Sequence, residues 1–150
     1  MTDSSPAGFD ARVARTLASI DGDLIALRRD LHAHPELSWE EHRTTAKLLE
    51  VLRAEGMSAQ VGPTGTGVIA EVGTSGPLVA LRGDIDALRM QDTKEVPYRS
   101  TIDGVCHACG HDLHATATLG AGLALAEVLG RDGVGGRVRL ILQPAEEAIP

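Results

Sequence analysis

Apolar residues recur every three or four positions along the first part of the chain, and this spacing predicts an amphipathic helix. The helix is expected from about Asp10 to Leu31 and to end before His34-Pro35, because the residue before a proline avoids the helical conformation. Residues 1–9 lack the apolar repeat, so we expect them to form a disordered leader. The repeat consists of Val13, Leu17, Ile20, Leu24, Leu27 and Leu31.

A second helix is predicted after this break. Ser38 and Glu41 have the three-residue spacing of a capping box, in which the two side chains satisfy free backbone N–H groups at the start of a helix. The helix is expected to continue to about Glu55 and to end at Gly56, because glycine readily adopts the left-handed conformation that closes helices.

Short apolar segments further along predict strands. Residues 67–72 and 78–81 are apolar runs bounded by turn-forming residues, and apolar residues alternate along 138–142. Residues 111–129 are rich in Ala, Gly and Leu and predict a helix with a small-residue face that packs closely on a sheet. Helices that alternate with strands predict an α/β fold, in which helices cover both faces of a largely parallel or mixed sheet. Residues 10–150 are expected to form one domain.

Composition and charge limit the possible partners. The chain has 150 residues, 43% of them hydrophobic and 23% charged, which is typical of a soluble globular domain. A net charge of −7 argues against a nucleic-acid partner, which needs a basic face. No apolar stretch approaches the ~20 residues that span a bilayer, and Met1 to Asp10 lacks the apolar region of an export signal. Two cysteines three residues apart in such a chain predict reduced thiols and a cytoplasmic protein.

Residues that can bind metal or carry protons are concentrated in one segment. Residues 106–114, Cys-His-Ala-Cys-Gly-His-Asp-Leu-His, hold two thiols, three imidazoles and one carboxylate. This mixed set of sulfur, nitrogen and oxygen donors matches zinc or a similar divalent transition metal. Cys109 and His111 open the predicted helix, whose N-terminus is expected to lower the pKa of a nearby thiol and favour the metal-binding thiolate.

Carboxylates follow two of the predicted strands. Asp84 and Asp86 come after one strand, and Glu146 and Glu147 come after another. Ligands of open α/β sheets gather beyond the carboxyl ends of strands, so we expect these side chains to join the cysteine and histidine cluster there. Neighbouring glutamates point in different directions, so one can bind metal while the other transfers a proton. The sequence therefore predicts metal-dependent hydrolysis.

These features also have structural interpretations. Cys106 and Cys109 have the spacing of a redox-active pair, although the strand context and aromatic neighbours of thioredoxin-like sites are missing. Cys106 and His107, each considered alone, are expected to be structural or to support the ligands without binding metal themselves. Three histidines outside the segment are interpreted as ordinary surface residues: His32, His34 and His42.

Four motifs occur along the chain in this order: residues 31–38 (LHAHPELS), 81–88 (LRGDIDAL), 106–114 (CHACGHDLH) and 143–147 (QPAEE). Together they resemble the M20 metallopeptidase family, in particular its amidohydrolase branch of N-acyl-amino-acid and hippurate-type hydrolases. They cover nearly the whole chain from about residue 20. Arg89 stands where members of this branch commonly have proline, a departure that touches no ligand.

The resemblance implies a centre of two divalent metal ions (Zn, Mn, Co or Ni) that hydrolyses an amide bond. Glu146 is then the general base, Asp86 occupies the place of a carboxylate that orients a ligand, and His114 is expected behind the ligands. The metal ligands that the resemblance implies in this chain are Cys109, His111 and Glu147.

The resemblance also implies a protein much longer than 150 residues. Family members add further histidine ligands and a smaller lid or dimerisation domain, so we expect this chain to be the N-terminal part of a catalytic domain. The expected substrate is an N-acyl amino acid or a related small amide, and the full-length enzyme is expected to form a homodimer. The alternatives are a dipeptidase or aminoacylase of the same family, and a truncated, non-catalytic metal-binding fragment.

Overall fold

Three helices and a four-stranded sheet make up the structure, a computed structural model that describes residues 5–131 and 135–148. Within these two ranges no helix is long and apolar enough to cross a membrane. The elements in chain order are α1 (Pro6–Ala33), α2 (His42–Ala54), β1 (Ser58–Val61), β2 (Val68–Ser75), β3 (Leu78–Asp84), α3 (His111–Arg131) and β4 (Gly136–Gln143).

The sheet is mixed and has the strand order β1-β2-β4-β3. The pairs β1–β2 and β2–β4 are antiparallel, whereas β3 and β4 are parallel. Because β3 and β4 run in the same direction, their carboxyl ends meet at one edge, where Asp84 lies opposite Gln143. The segments that follow these two strands therefore leave the sheet side by side, which positions the site described below.

The core lies between one face of the sheet and the helices. The cross-strand pairs Val68–Leu142 and Ala70–Leu140 point to this face and are buried. Each helix contributes apolar side chains to the same cluster, and these confirm the predicted α/β layered fold. The buried leucines of the helices are Leu27 and Leu31 of α1, Leu48 and Leu52 of α2, and Leu119 of α3.

The opposite face of the sheet has no helix packed on it within the described ranges, although the sequence analysis expected helices on both faces. Ile69 and Ile141 are partly exposed on this face, and Glu71 forms a surface ion pair with Arg139. Along β2 and β4, buried residues alternate with exposed or partly exposed ones. Such alternation provides a single fully buried face.

Helix α1 begins earlier than predicted. It starts at Pro6, so the prediction of a disordered leader is wrong for residues 6–9, whereas residues 1–4 lie outside the described residues. Ser5 caps the helix, since its Oγ accepts a hydrogen bond from the N–H of Gly8 at 3.1 Å. Proline suits the first helical turn, because that turn does not use its missing N–H.

Helix α2 begins later than predicted, and the proposed capping box does not form. Its first residue is His42, and the side chain of its N-cap residue, Glu41, forms no capping hydrogen bond. The carboxylate of Glu36 accepts the N–H groups of Arg43 at 2.9 Å and Thr44 at 2.7 Å in the first turn. The Ser38 hydroxyl donates instead to Asp86 at 2.8 Å. In a capping box the serine oxygen accepts a backbone N–H, whereas here the Ser38 hydroxyl donates to an ionised carboxylate of a distant segment, which makes a strong hydrogen bond.

Candidate metal centre

Cys109, His111 and Glu147 come together at the edge of the sheet where β3 and β4 end. One potential ligand atom from each residue lies within 4.8 Å of the other two. His111 is the first residue of α3, Cys109 lies in the loop before it, and Glu147 follows β4. His111 is only 5% exposed, Glu147 is half-buried and Cys109 is exposed, so solvent reaches the cluster from the side of the thiol.

Asp86 orients the imidazole of His111. His111 Nδ1 lies 3.0 Å from the backbone oxygen of Asp86 and 3.1 Å from its Oδ1. Both oxygens are acceptors, so Nδ1 carries the proton and the lone pair of Nε2 stays free. Nε2 lies 3.8 Å from a carboxylate oxygen of Glu146 and of Glu147. His111 thus presents the tautomer that a metal ligand needs.

The second oxygen of Asp86 connects two further parts of the site. Asp86 Oδ2 accepts hydrogen bonds from the Ser38 hydroxyl at 2.8 Å and from the N–H of Glu147 at 2.9 Å. Burial alone would raise the pKa of Asp86, but these hydrogen bonds and the nearby His111 hold the pKa below its usual range. Asp86 is therefore an ionised, buried carboxylate that ties His111 to the backbone of Glu147.

The thiol of Cys109 lies among carboxylates. A hydrogen bond with Glu147 raises the pKa of Cys109, and burial and the negative charges of Glu147, Glu146 and Asp84 raise it further. The sequence analysis expected the opposite direction from the helix N-terminus, but the surrounding carboxylates raise the pKa of this thiol. A divalent cation among these groups would reverse the balance, since a coordinating thiol is deprotonated.

Glu146 lies beside the three clustered residues on a strained turn. Its side chain is 40% exposed, against 23% for Glu147. The preceding residue, Ala145, has a φ of 54°, in the left-handed region that residues other than glycine rarely adopt. The fully buried carboxylate of Glu41 accepts a hydrogen bond from the Ala145 N–H at 2.8 Å. The sequence analysis assigned Glu41 to a helix cap and missed this contact, which holds the turn that carries both glutamates.

His114 lies at the rim of the cluster. Its Nδ1 accepts a hydrogen bond from the N–H of Asp84 at 3.2 Å and is 3.1 Å from Asp84 Oδ2. Arg82 forms an ion pair with the same carboxylate. The His114 side chain is 48% exposed, and its ring centroid lies 6.3 Å from that of His111. The residue therefore contacts Asp84 directly and lies outside the group of three donors.

Cys106 and His107 lie outside the cluster and are buried. The backbone of Cys106 pairs with that of Leu88. Burial raises the pKa of the Cys106 thiol and lowers the pKa of His107 to about 4. At neutral pH one is therefore a protonated thiol and the other a neutral imidazole, and neither belongs to the group of three donors.

His32 is the residue that the sequence analysis placed wrongly. It was interpreted as a surface histidine, but it is 1% exposed and lies between the carboxylates of Asp92 and Asp112. These partners are the physical reason, because a buried imidazole needs a polar partner and two are present. The other two histidines interpreted in this way are half-buried (His34) and exposed (His42).

The donor set of the cluster fits a divalent transition metal. One thiol, one imidazole and one carboxylate provide three of the four ligands of a tetrahedral zinc site, as in catalytic sites that keep a position for water. Calcium and magnesium prefer oxygen ligands alone. Across residues 5–131 and 135–148, no second group of three such donors lies together. The described part of the chain therefore groups ligands for one ion.

Comparison with known proteins identifies the family. The profile of peptidase family M20/M25/M40 matches residues 80–150. A solved structure from Bacillus subtilis, described as a dinuclear metal-binding peptidase from the M20 family, is 44% identical to this chain and superposes on 87% of it with a TM-score of 0.80. The chain belongs to peptidase family M20. The resemblance inferred from the four motifs is thereby confirmed.

Two curated M20-type relatives show how much of such a protein this chain represents. N-acetyl-L-cysteine deacetylase of Bacillus subtilis is 46% identical over 136 residues, which are 88% of this chain and 32% of the deacetylase. Thermostable carboxypeptidase 2 of Saccharolobus solfataricus is 38% identical over 139 residues, which are 91% of this chain and 35% of the carboxypeptidase. The chain thus spans about a third of the length of these M20 relatives.

Proposed function

We propose that this M20 chain belongs to a metal-dependent amidohydrolase that cleaves the amide bond of N-acyl amino acids or related small amides. The observation that carries the proposal is the convergence of Cys109, His111 and Glu147 within 4.8 Å, with the carboxylate of Glu146 beside them. Hydrolysis by an activated water requires donors that hold a metal ion and a carboxylate that accepts a proton. This cluster offers three donors suited to one divalent transition metal and a neighbouring carboxylate.

Each residue of the cluster has a distinct role in this proposal. When bound, a divalent ion supplies a Lewis acid that polarises the amide carbonyl and makes water acidic. Cys109, His111 and Glu147 would hold the ion, and Asp86 keeps His111 in the tautomer with a free Nε2. Zn, Mn, Co and Ni are the candidate ions, and two would be present in the complete enzyme.

Glu146 performs the proton transfers. It takes one proton from the attacking water, whose oxygen forms a bond to the acyl carbon. The C–N bond then breaks, and Glu146 returns the proton to the departing nitrogen, which leaves a carboxylic acid and a free amino acid. The greater exposure of Glu146 compared with Glu147 suits this role, because a proton carrier must reach the substrate.

The relatives support the substrate class and also name its main rival. The 46% identical protein is an N-acetyl-L-cysteine deacetylase, and deacetylation of an N-acetyl amino acid is amide hydrolysis. The 38% identical protein is a carboxypeptidase, which favours a peptidase as the second candidate. The homodimer and the cytoplasmic location remain predictions from the sequence.

A chimera tests the proposal. Residues 1–148 would replace the matching part of the Bacillus subtilis deacetylase, and the product would be assayed against N-acetyl amino acids and against short peptides with a free carboxyl terminus. We expect hydrolysis of the acyl amino acids, loss of turnover on chelation, and recovery with Zn, Mn, Co or Ni. Turnover that survives complete metal removal, or that is confined to peptides, would contradict the proposed activity.

A further inference from the structure

A buried charged cluster lies directly behind the metal-binding segment, with His32 at its centre. His32 is in the last turn of α1, and its Nδ1 lies 2.7 Å from Asp112 Oδ2. Its Nε2 lies 3.3 Å from Asp92 Oδ2. A carboxylate only accepts hydrogen bonds, so the imidazole donates from Nδ1. One side chain of α1 thus contacts carboxylates 60 and 80 residues further along the chain.

Asp112 connects this cluster to a proposed metal ligand. It is the residue after His111, in the first turn of α3, and it is fully buried. The same Oδ2 that contacts His32 also lies 2.7 Å from Nε of Arg28, one turn earlier on α1. The start of α3, and with it His111, is therefore held to α1 by an imidazole and a guanidinium group that contact the same carboxylate oxygen.

Asp92 anchors the other end of the same segment. Its Oδ1 accepts the N–H of Lys94 at 3.1 Å and its Oδ2 accepts the N–H of Ser100 at 3.0 Å. The Ser100 hydroxyl in turn donates to the backbone oxygen of Val105 at 2.7 Å, next to Cys106. Asp92 therefore organises the loop that leads into the segment with Cys109.

We propose that His32 is a positioning residue for the metal centre, an inference that rests on the proposed function. Its two partners, Asp92 and Asp112, bracket the segment that presents Cys109 and His111. Removal of the imidazole leaves two buried carboxylates that face each other without the group between them, and such an arrangement relaxes by moving the backbone or admitting water. Either response shifts the two ligands relative to Glu147.

The first experiment measures metal binding by the chain itself. Cobalt(II) would be titrated into wild type, His32→Gln and His34→Gln, and visible absorption would follow the charge-transfer band of the Cys109 thiolate. We expect His32→Gln to bind cobalt ~10–100-fold more weakly, the usual effect of losing a residue that supports ligands, and to alter the band. His34, the residue that follows α1, bonds the backbone oxygen of Asp30 and contacts neither carboxylate of the cluster, so His34→Gln should match wild type.

A metal-free experiment separates this inference from the proposed function. Cys106 is buried at 2% exposure, so an alkylating reagent labels it only when the segment opens. We expect faster labelling of Cys106 in His32→Gln and in the second variant Asp92→Asn. A matched control is Val128→Ala, which weakens the core in the second half of α3.

The outcomes are distinguishable. Wild type that binds no cobalt would contradict the proposed metal centre, while the labelling rates would still decide the role of His32. Equal cobalt affinity in wild type and His32→Gln would overturn the positioning role. The positioning role would also be overturned if the labelling rate of Cys106 depended only on the free energy of unfolding. Val128→Ala and His32→Gln would then fall on one line in a plot of labelling rate against that free energy. A labelling rate of Cys106 in His32→Gln that lies above this line supports the positioning role of His32.

Discussion

Glu146 and Glu147 are adjacent in the chain but differ in their surroundings, and this difference predicts different effects of substitution. The backbone N–H of Glu147 is bound to Asp86 and its side chain joins Cys109 and His111, whereas the Glu146 side chain is more exposed. In the chimera with the deacetylase, Glu147→Gln should lower both metal occupancy and turnover. Glu146→Gln should keep the metal and lower turnover by about 10²–10⁴-fold, as expected for a positioned general base.

Metal analysis and steady-state kinetics on the same preparations check this expectation. Each variant is the control for the other, because both change a carboxylate to an amide in the same turn. Loss of metal in Glu146→Gln with full occupancy in Glu147→Gln would show that the two roles are reversed. Unchanged turnover in both variants would contradict the hydrolytic mechanism.

The two cysteines provide a second residue-scale test. Cys109 contributes to the ligand cluster and is exposed, whereas Cys106 is buried and lies outside that cluster. We expect Cys109→Ser to weaken binding of divalent metal strongly, because a hydroxyl replaces the soft thiolate donor. Cys106→Ser should leave metal affinity close to wild type. Calorimetric titration at fixed pH compares the two, and an equal or larger loss at Cys106 would mean that the ligand assignment is wrong.

The sequence could identify the proposed ligands but not the residues that hold them in place. Cys109 and His111 were found because potential ligands are crowded into nine residues. His32 and Glu41 were missed because their burial depends on partners far along the chain, Asp112 and the N–H of Ala145, 80 and 104 residues away. A histidine beside an apolar helical stripe carries no local sign of which face it occupies, so only the packed structure reveals its role.

Most elements could be predicted, and the strand that was missed has a physical explanation. The predicted positions of α3, β2, β3 and β4 agree with the structure to within a few residues, because each has a strong apolar pattern or clear boundaries. Strand β1 (Ser58–Val61) was not predicted, since three of its four residues are exposed and it lacks an apolar run. Antiparallel pairing with β2, rather than its own sequence, keeps β1 extended.

The close approach of α3 to β3 gives an element-scale prediction. A Cβ atom at Gly83 would lie 2.4 Å from Oγ1 of Thr118 and 2.8 Å from the backbone oxygen of His114, both on α3. Gly83→Ala should therefore lower the free energy of unfolding by ~1–3 kcal/mol through overpacking. Gly22→Ala is the control, since nothing lies within 4 Å of its Cβ on α1, and it should raise stability by about 1 kcal/mol through helix propensity.

Urea unfolding followed by circular dichroism measures both changes. The expectation for Gly83 would be wrong if Gly83→Ala were as stable as wild type, because α3 would then have room to move away from β3. Because His111 begins α3, weaker cobalt binding by Gly83→Ala would further show that the packing of this helix sets the ligand geometry.

The loop anchored by Asp92 should make stability depend on pH. Burial would raise the pKa of Asp92, but the N–H groups of Ser100 and Lys94 and the Lys94 ammonium group hold the pKa well below its usual range. A carboxyl group whose pKa is lower in the folded state stabilises that state at pH values above ~3.9, its pKa in the unfolded chain. This contribution is lost as the pH falls through the pKa of the folded state.

Asp92→Asn should consequently be less stable than wild type at neutral pH, and the difference should narrow as the solution is acidified below about pH 4. Urea unfolding at a series of pH values gives the two curves, with Asp103→Asn on an exposed residue as the control. A difference between wild type and Asp92→Asn that is constant with pH would show that the ionised carboxylate does not stabilise the loop.

At the scale of the whole molecule, the parallel pairing of β3 with β4 is what assembles the site. It places Asp86 and the two glutamates after neighbouring strand ends, and α3 brings Cys109 and His111 to the same edge. The sequence analysis expected this edge because both strands end in carboxylates. It could not foresee the antiparallel β2 between β1 and β4, since pairing order depends on contacts between distant segments.

The last prediction follows from the share of an M20 protein that the chain represents. It spans about a third of the deacetylase, and its described residues group three donors around one position. Hydrolysis with two ions needs enough ligands to hold them about 3.5–4 Å apart. We therefore expect the isolated chain to bind divalent metal more weakly than the chimera and to hydrolyse N-acetyl amino acids poorly or not at all. Parallel metal titrations and assays compare the two proteins, and efficient metal-dependent turnover by the isolated chain would mean that the donors described here are sufficient for catalysis.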